Sequence, residues 1–152
     1  QHAVKGNAEA QFMLGDAHGD GDLGLKKSAK RALKWFELAA AQGHARSQCA
    51  MGNCYDDGAG VKINFKTAAQ WHRRAADQGY PDAQCNMGTI FYFGKGVAQS
   101  FEEAARWWRL AAQQGHMQAL YDLGGCYVNG IGVPQDLDEA LRCFERAAAK
   151  GH

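Results

Sequence analysis

The chain has 152 residues, with 46% hydrophobic and 22% charged side chains and a formal net charge of +1. That length is one domain's worth and enough to bury a continuous core. The charge leaves no basic excess for a nucleic-acid footprint, no run of 18 apolar residues could span a bilayer, and no positively charged start leads into the apolar run of a signal peptide.

Only 2 Pro stand against 19 Gly, and the glycines set a period. Gly52, Gly88 and Gly124 recur every 36 residues, and Gly15 lies 37 before Gly52. The same register aligns Trp35, Trp71, Trp107 and Cys143. It also aligns Phe36, His72, Trp108 and Phe144, the alanine pairs from Ala39–Ala40 to Ala147–Ala148, and Gly43, Gly79, Gly115 and Gly151. Four copies follow, over about residues 7–43, 44–79, 80–115 and 116–151, with one extra residue in the glycine-rich loop of the first, where an insertion costs little.

In chain order, each copy is predicted to hold two helices. The first helices run over about 8–18, 45–56, 81–92 and 117–128, and the second over about 29–42, 65–78, 101–114 and 137–150. Ser28, Asn64, Ser100 and Asp136 precede the second helices as N-caps, whose side chains can accept from an orphan backbone N–H. Ser100 with Glu103, and Asp136 with Glu139, have capping-box spacing. The closing glycines sit where a left-handed C-cap is expected. Gly58-Ala59-Gly60-Val61, Gly94-Lys95-Gly96-Val97 and Gly130-Ile131-Gly132-Val133 connect the paired helices. Phe101, Ala104–Ala105, Trp107–Trp108 and Ala111–Ala112 follow a helical three-to-four step. The mid-helix glycines predict a close helix crossing where no Cβ fits.

The recurring tryptophans and Trp108 are expected in the core, and His72, standing where other copies have Phe or Trp, as a partly buried, packed histidine. His44 and His116, with Tyr80 between them at the same position, read as turn residues rather than ligands. Of the five cysteines, Cys49 and Cys85 sit too far apart in adjacent repeats for an easy disulfide, and Cys49 and Cys54 face different ways. There is no C-x-x-C pair, so no metal site is expected, and buried thiols in a reducing, cytoplasmic compartment are favoured. Cys126 and Cys143, on the two helices of one repeat, are the pair to check for a bridge. Asp16-Ala17-His18-Gly19-Asp20-Gly21-Asp22 resembles a calcium loop, but has His18 at the third position and Lys27 at the twelfth. No hydrolase, phosphate-loop or zinc-protease motif occurs, so neither an enzyme nor a cofactor is expected.

Copy three carries Ala83-Gln84, Met87-Gly88, Phe91, Gly94-Lys95-Gly96-Val97, Ala104, Trp107, Ala111-Ala112 and Gln114-Gly115. With these residues the chain resembles the Sel-one-like repeat (SLR) family, relatives of the tetratricopeptide repeats. Copies two and four match almost as well; copy one departs at His18 and in Gly21-Asp22-Leu23-Gly24-Leu25. The resemblance implies an all-α, right-handed α-α superhelix of four helix-turn-helix repeats, with a concave face lined by the first helices. It further implies a scaffold binding a partner peptide or domain. By analogy with tetratricopeptide repeats, the groove would be lined by Cys49, Asn53, Asp56 and Asp57, by Cys85, Thr89, Tyr92 and Phe93, and by Tyr121, Gly125, Val128 and Asn129. Tyr92 and Phe93 could instead simply pack onto a neighbouring repeat. The alternatives are a structural spacer, and cell-wall-compound binding or hydrolase-type activity, to which some members have been linked. Cysteine-rich secreted members carry one paired set per repeat, a pattern missing from this sequence. Ala3-Val4-Lys5-Gly6 resembles the tail of a preceding repeat and Gly151-His152 the opening of a next one, so a longer array, or end-to-end self-association, is expected.

Overall fold

The computed structural model describes residues 6–21, 24 and 27–151. The expected repeat tail at residues 3–5, Asp22, Leu23 and Leu25 of the first loop, and His152 lie outside them. Among the described residues there are eight helices and no strand: α1 Ala8–Asp20, α2 Ala29–Ala41, α3 Ala45–Asp57, α4 Phe65–Asp77, α5 Pro81–Phe93, α6 Phe101–Gln113, α7 Met117–Asn129 and α8 Leu137–Lys150. The fold is all-helical, built of four helix pairs. It divides into two compact units, Gln1–Gln78 and Gly79–His152, each holding two pairs.

Within a pair, the crossing forms at the mid-helix glycine. A Cβ on Gly15, Gly52 or Gly124 would lie 2.6–2.7 Å from the ring of Phe36, His72 or Phe144, and one on Gly88 would collide with Trp108. Hydrogen there lets a ring of the second helix lie flat on the backbone of the first, which repays the helix-propensity cost of glycine. The turn between the helices is fixed just as closely. Gly132, at φ 72°, passes against the Phe101 carbonyl, where any side chain would strike backbone.

The N-caps behave as the sequence predicts, with one difference. Ser28, Asn64, Ser100 and Asp136 each accept from the backbone N–H three residues on. Glu103 and Glu139, however, do not close capping boxes. Glu103 pairs with Arg106 at 2.8 Å and Glu139 with Arg142. The cap N–H they would have taken is already used: Ser28, Asn64, Ser100 and Asp136 donate to the carbonyls of His18, Tyr55, Phe91 and Tyr127 at 2.8–3.0 Å. Gly43, Gly79 and Gly115 are left-handed as expected, while Gly151 stays right-handed at φ −76°.

Each unit has its own core. In the first, Phe12, Phe36, Met51 and Cys54 pack with Ala32 and Ala40. In the second, Trp108, Leu120, Leu123 and the alanines of α6 pack with Cys85, Cys126 and Cys143. Trp107 and Trp108 are buried. Trp35 and Trp71 are only half-buried, which corrects the expectation of a uniform tryptophan core. The indole is large enough to cover the core with one face and stay wet on the other, and the Arg74 guanidinium lies 4.7 Å over the Trp71 ring.

All five cysteines are buried free thiols, Cys126 and Cys143 included. Burial and the Asp122 charge push Cys85 up to about 12 and Cys126 up to about 11, so both are protonated at neutral pH.

The sequence missed two recurring contacts. Gln11 and Gln42, Gln48 and Gln78, and Gln84 and Gln114 are hydrogen-bonded at 2.6–2.8 Å. Each joins a buried amide of a first helix to the end of its second. Copy four replaces both partners together, by buried Leu120 and by Lys150. His44 and His116 are N-caps of α3 and α7. Their Nδ1 accepts from the first turn, while Nε2 meets Glu9 or Asp82 at 2.8 Å. Both contacts suit the neutral ring with its proton on Nε2.

Candidate functional site: a cleft between two first helices

In the second unit, α5 and α7 flank a cleft of about 520 Å3 with Trp108 of α6 between them. Each side chain has a local cause. Pro81 opens α5 and the left-handed Gly94 ends it directly after Phe93, so that ring stands at the helix terminus, 63% exposed. Tyr92 turns the other way. Its ring lies 5.1 Å from Phe101 and 5.6 Å from Trp108, with Phe93 edge-on at 5.0 Å. The Trp108 indole N–H donates to the Cys85 carbonyl at 3.2 Å, which fixes the cleft's inner wall. Across the cleft, Tyr121 is 45% exposed and leans on Phe144.

The structure brings together Thr89, Tyr92, Phe93, Tyr121, Gly125 and Asn129 of the predicted residues. It adds Gln118, Asp122, Cys126 and Ile131 to the lining, together with Trp108, which the sequence placed in the core. Val128 is half-buried and lies outside the cleft lining. Cys85 is buried beneath it rather than facing the groove, because a small apolar side chain at that turn is covered by α6.

Asp122 is the one charged group among the described lining residues. It accepts from Gln118 Nε2 at 3.1 Å. Burial raises its carboxyl above the usual carboxylate range, against the opposing effects of Gln118 and His116. Met13, Ala50 and Asn86 hold the same repeat position in the other copies, so the helix-pair framework does not require an acid there. That break in recurrence is the signal by which the sequence could have marked it.

The first unit presents a different surface at the predicted positions. Asn53 and Asp57 are exposed. Asp56 is not free for a partner: its carboxylate meets His72 Nε2 at 3.1 Å. The His72 ring is fully buried rather than partly so, and its Nδ1 lies 3.7 Å from the Cys49 thiol. Cys49 is therefore a core residue and not a groove residue. Cys49, His72 and Asp56 have the residue types of a nucleophile, base and orienting acid. Burial of the sulfur and the ring's place over Gly52, where Phe36 and Phe144 lie in their copies, account for the group by packing.

Residues 8–44, 45–80, 81–116 and 118–152 each match the Sel1 repeat family. Among solved structures, the chain is similar to a protective antigen of uropathogenic Escherichia coli displaying an SLR fold. There the identity is 35% and the TM-score 0.95, over 100% of this chain and 32% of that one. It is similar to a Sel1 repeat protein from Oxalobacter formigenes at 35% identity and TM-score 0.90, over 97% of this chain and 58% of that one. Cysteine-rich protein B of Helicobacter pylori shares the fold at 22% identity and TM-score 0.64, over 81% of this chain and 91% of that one. The chain thus spans about a third and under two thirds of the lengths of the first two. A search of curated proteins finds no match.

Proposed function

From a chain that belongs to the Sel1 repeat family, we propose a protein-interaction scaffold that holds an extended segment of a partner protein in the cleft between α5 and α7. The observation that carries this reading is the pair Phe93 and Tyr121. Both are large, exposed and on opposite sides of one cleft. Neither is demanded by the repeat, since Cys49 and Cys85 stand at the position of Tyr121, and Asp57 and Asn129 at that of Phe93. Exposed aromatics beside a cleft are the usual anchors of a bound segment. The volume falls in the range of about 300–1,000 Å3 that accommodates a ligand group with several contacts. Among the described residues no helix is long and apolar enough to cross a membrane.

The test is selection of phage-displayed heptapeptides on the immobilised chain, followed by affinity measurement on Phe93→Ala/Tyr121→Ala. Both side chains are exposed, so the variant should keep its helicity and melting temperature. Loss of about tenfold or more in affinity supports the cleft, that being about 1.4 kcal/mol. Peptides that bind both forms equally would move the function elsewhere and favour a structural spacer.

A further inference from the structure

The charge of the cleft specifies its occupant more closely. Asp122 pays for its place: it is half-buried, no Lys or Arg stands among the described lining residues, and the other copies do without it. A carboxylate kept in such a setting at a cost to the fold is the mark of a group held for binding. The lining also holds the aromatic rings of Tyr121, Phe93 and Trp108, and the π face of such a ring attracts cations. Gln118 and Asn129 offer further amide oxygens along the same helix. An apolar occupant would strip water from Asp122 and return no partner. An acidic occupant would be repelled.

We infer, on the footing of the cleft reading above, that the partner segment inserts a basic side chain, arginine ahead of lysine, with its charge against Asp122 and its stem along Phe93 and Tyr121. Arginine leads because its planar guanidinium can stack on a ring while donating to the carboxylate and to the amide oxygens together. Lysine supplies one compact charge and no stacking plane.

The peptides selected on the wild-type chain decide it. They should share an arginine or lysine, and replacing that arginine by citrulline, neutral and nearly isosteric, should weaken binding about tenfold, as for one partly desolvated charge pair. Asp122→Asn keeps the shape and the Gln118 contact. It should weaken the arginine peptide about tenfold and leave the citrulline peptide unchanged, so that the two losses do not add. The citrulline comparison alters only the peptide and therefore holds whether or not the protein variant folds well. Two results overturn the inference while leaving the cleft as the binding site: Phe93- and Tyr121-dependent peptides that lack a basic residue, and citrulline forms that bind as tightly as arginine forms. Peptides indifferent to Phe93→Ala/Tyr121→Ala overturn the cleft reading beneath it.

Discussion

The two units are built to one plan and differ in what they set on it. In the second, the rings over the mid-helix glycines are the Trp108 indole and Phe144, and the cleft beside them carries Tyr92, Phe93 and Tyr121. In the first, the rings are Phe36 and an imidazole. The face there carries Asn53 and Asp57, with Asp56 drawn down onto His72. Backbone contacts that recur in every copy set the plan; side chains that occur once set the surface. A repeat protein can therefore change its binding chemistry without changing its architecture.

The contrast is most easily broken at the rings. Trp108→Ala should cost about 3–5 kcal/mol in urea unfolding, since it leaves a cavity under the cleft and removes the bond to the Cys85 carbonyl. His72→Phe should cost no more than about 1 kcal/mol, because it restores the side chain that copies one and four use and lets Asp56 rehydrate. A loss as large as that of Trp108→Ala would instead assign Cys49, His72 and Asp56 a role beyond packing.

The amide pairs come next. Gln84→Ala should cost about 1–3 kcal/mol, since it removes a buried side chain and one of the two acceptors of the Gln114 amide, which keeps the Gly79 carbonyl. The double change Gln84→Leu/Gln114→Lys imports the pair of copy four and should be milder than Gln84→Ala alone. Failure of that rescue in thermal melts would mean that Leu120 and Lys150 depend on neighbours peculiar to their own copy.

Smaller again are the junction caps. His116→Ala should cost about 1 kcal/mol, while Tyr80, whose side chain caps nothing, is the place to gain stability. Tyr80→Asn should return part of that amount by the same measurement. The smallest effect is at Asp122. Its folded carboxyl is more basic than an unfolded one, so its charge destabilises the fold at neutral pH, and that cost fades as pH falls through the folded value and is gone below the unfolded one. With solvent screening allowed for, Asp122→Asn should raise the melting temperature at pH 7 by only about 1 °C and leave it unchanged at pH 3.

What the sequence disclosed follows the same division. Glycine register, N-caps and alanine pairs recur, and recurrence located every helix to within about two residues. It also located six of the cleft residues, because the repeat position of a groove residue can be counted. Asp122 and Gln118 escaped because they do not recur. The glutamine pairs do recur, yet stayed hidden: nothing in the spacing says that two polar residues 30 or 31 apart will meet. Glu103 and Glu139 misled because capping-box spacing says nothing of whether the cap N–H is already taken by a neighbouring helix. Cys49 and Cys85 were misplaced because groove positions counted from one glycine ignore which turn the following helix covers.

The N–H of each second-helix cap reaches back to a carbonyl of its own repeat, at His18, Tyr55, Phe91 and Tyr127. A mechanical consequence follows. Among the described residues, tension applied along such a chain meets no long-range strand ladder that must shear at once, only a series of short locks of one kind. Each helix pair should yield as its own link, at low force and in single steps of one repeat length, and should close again behind the load. A tether made this way lengthens under pull before it lets go.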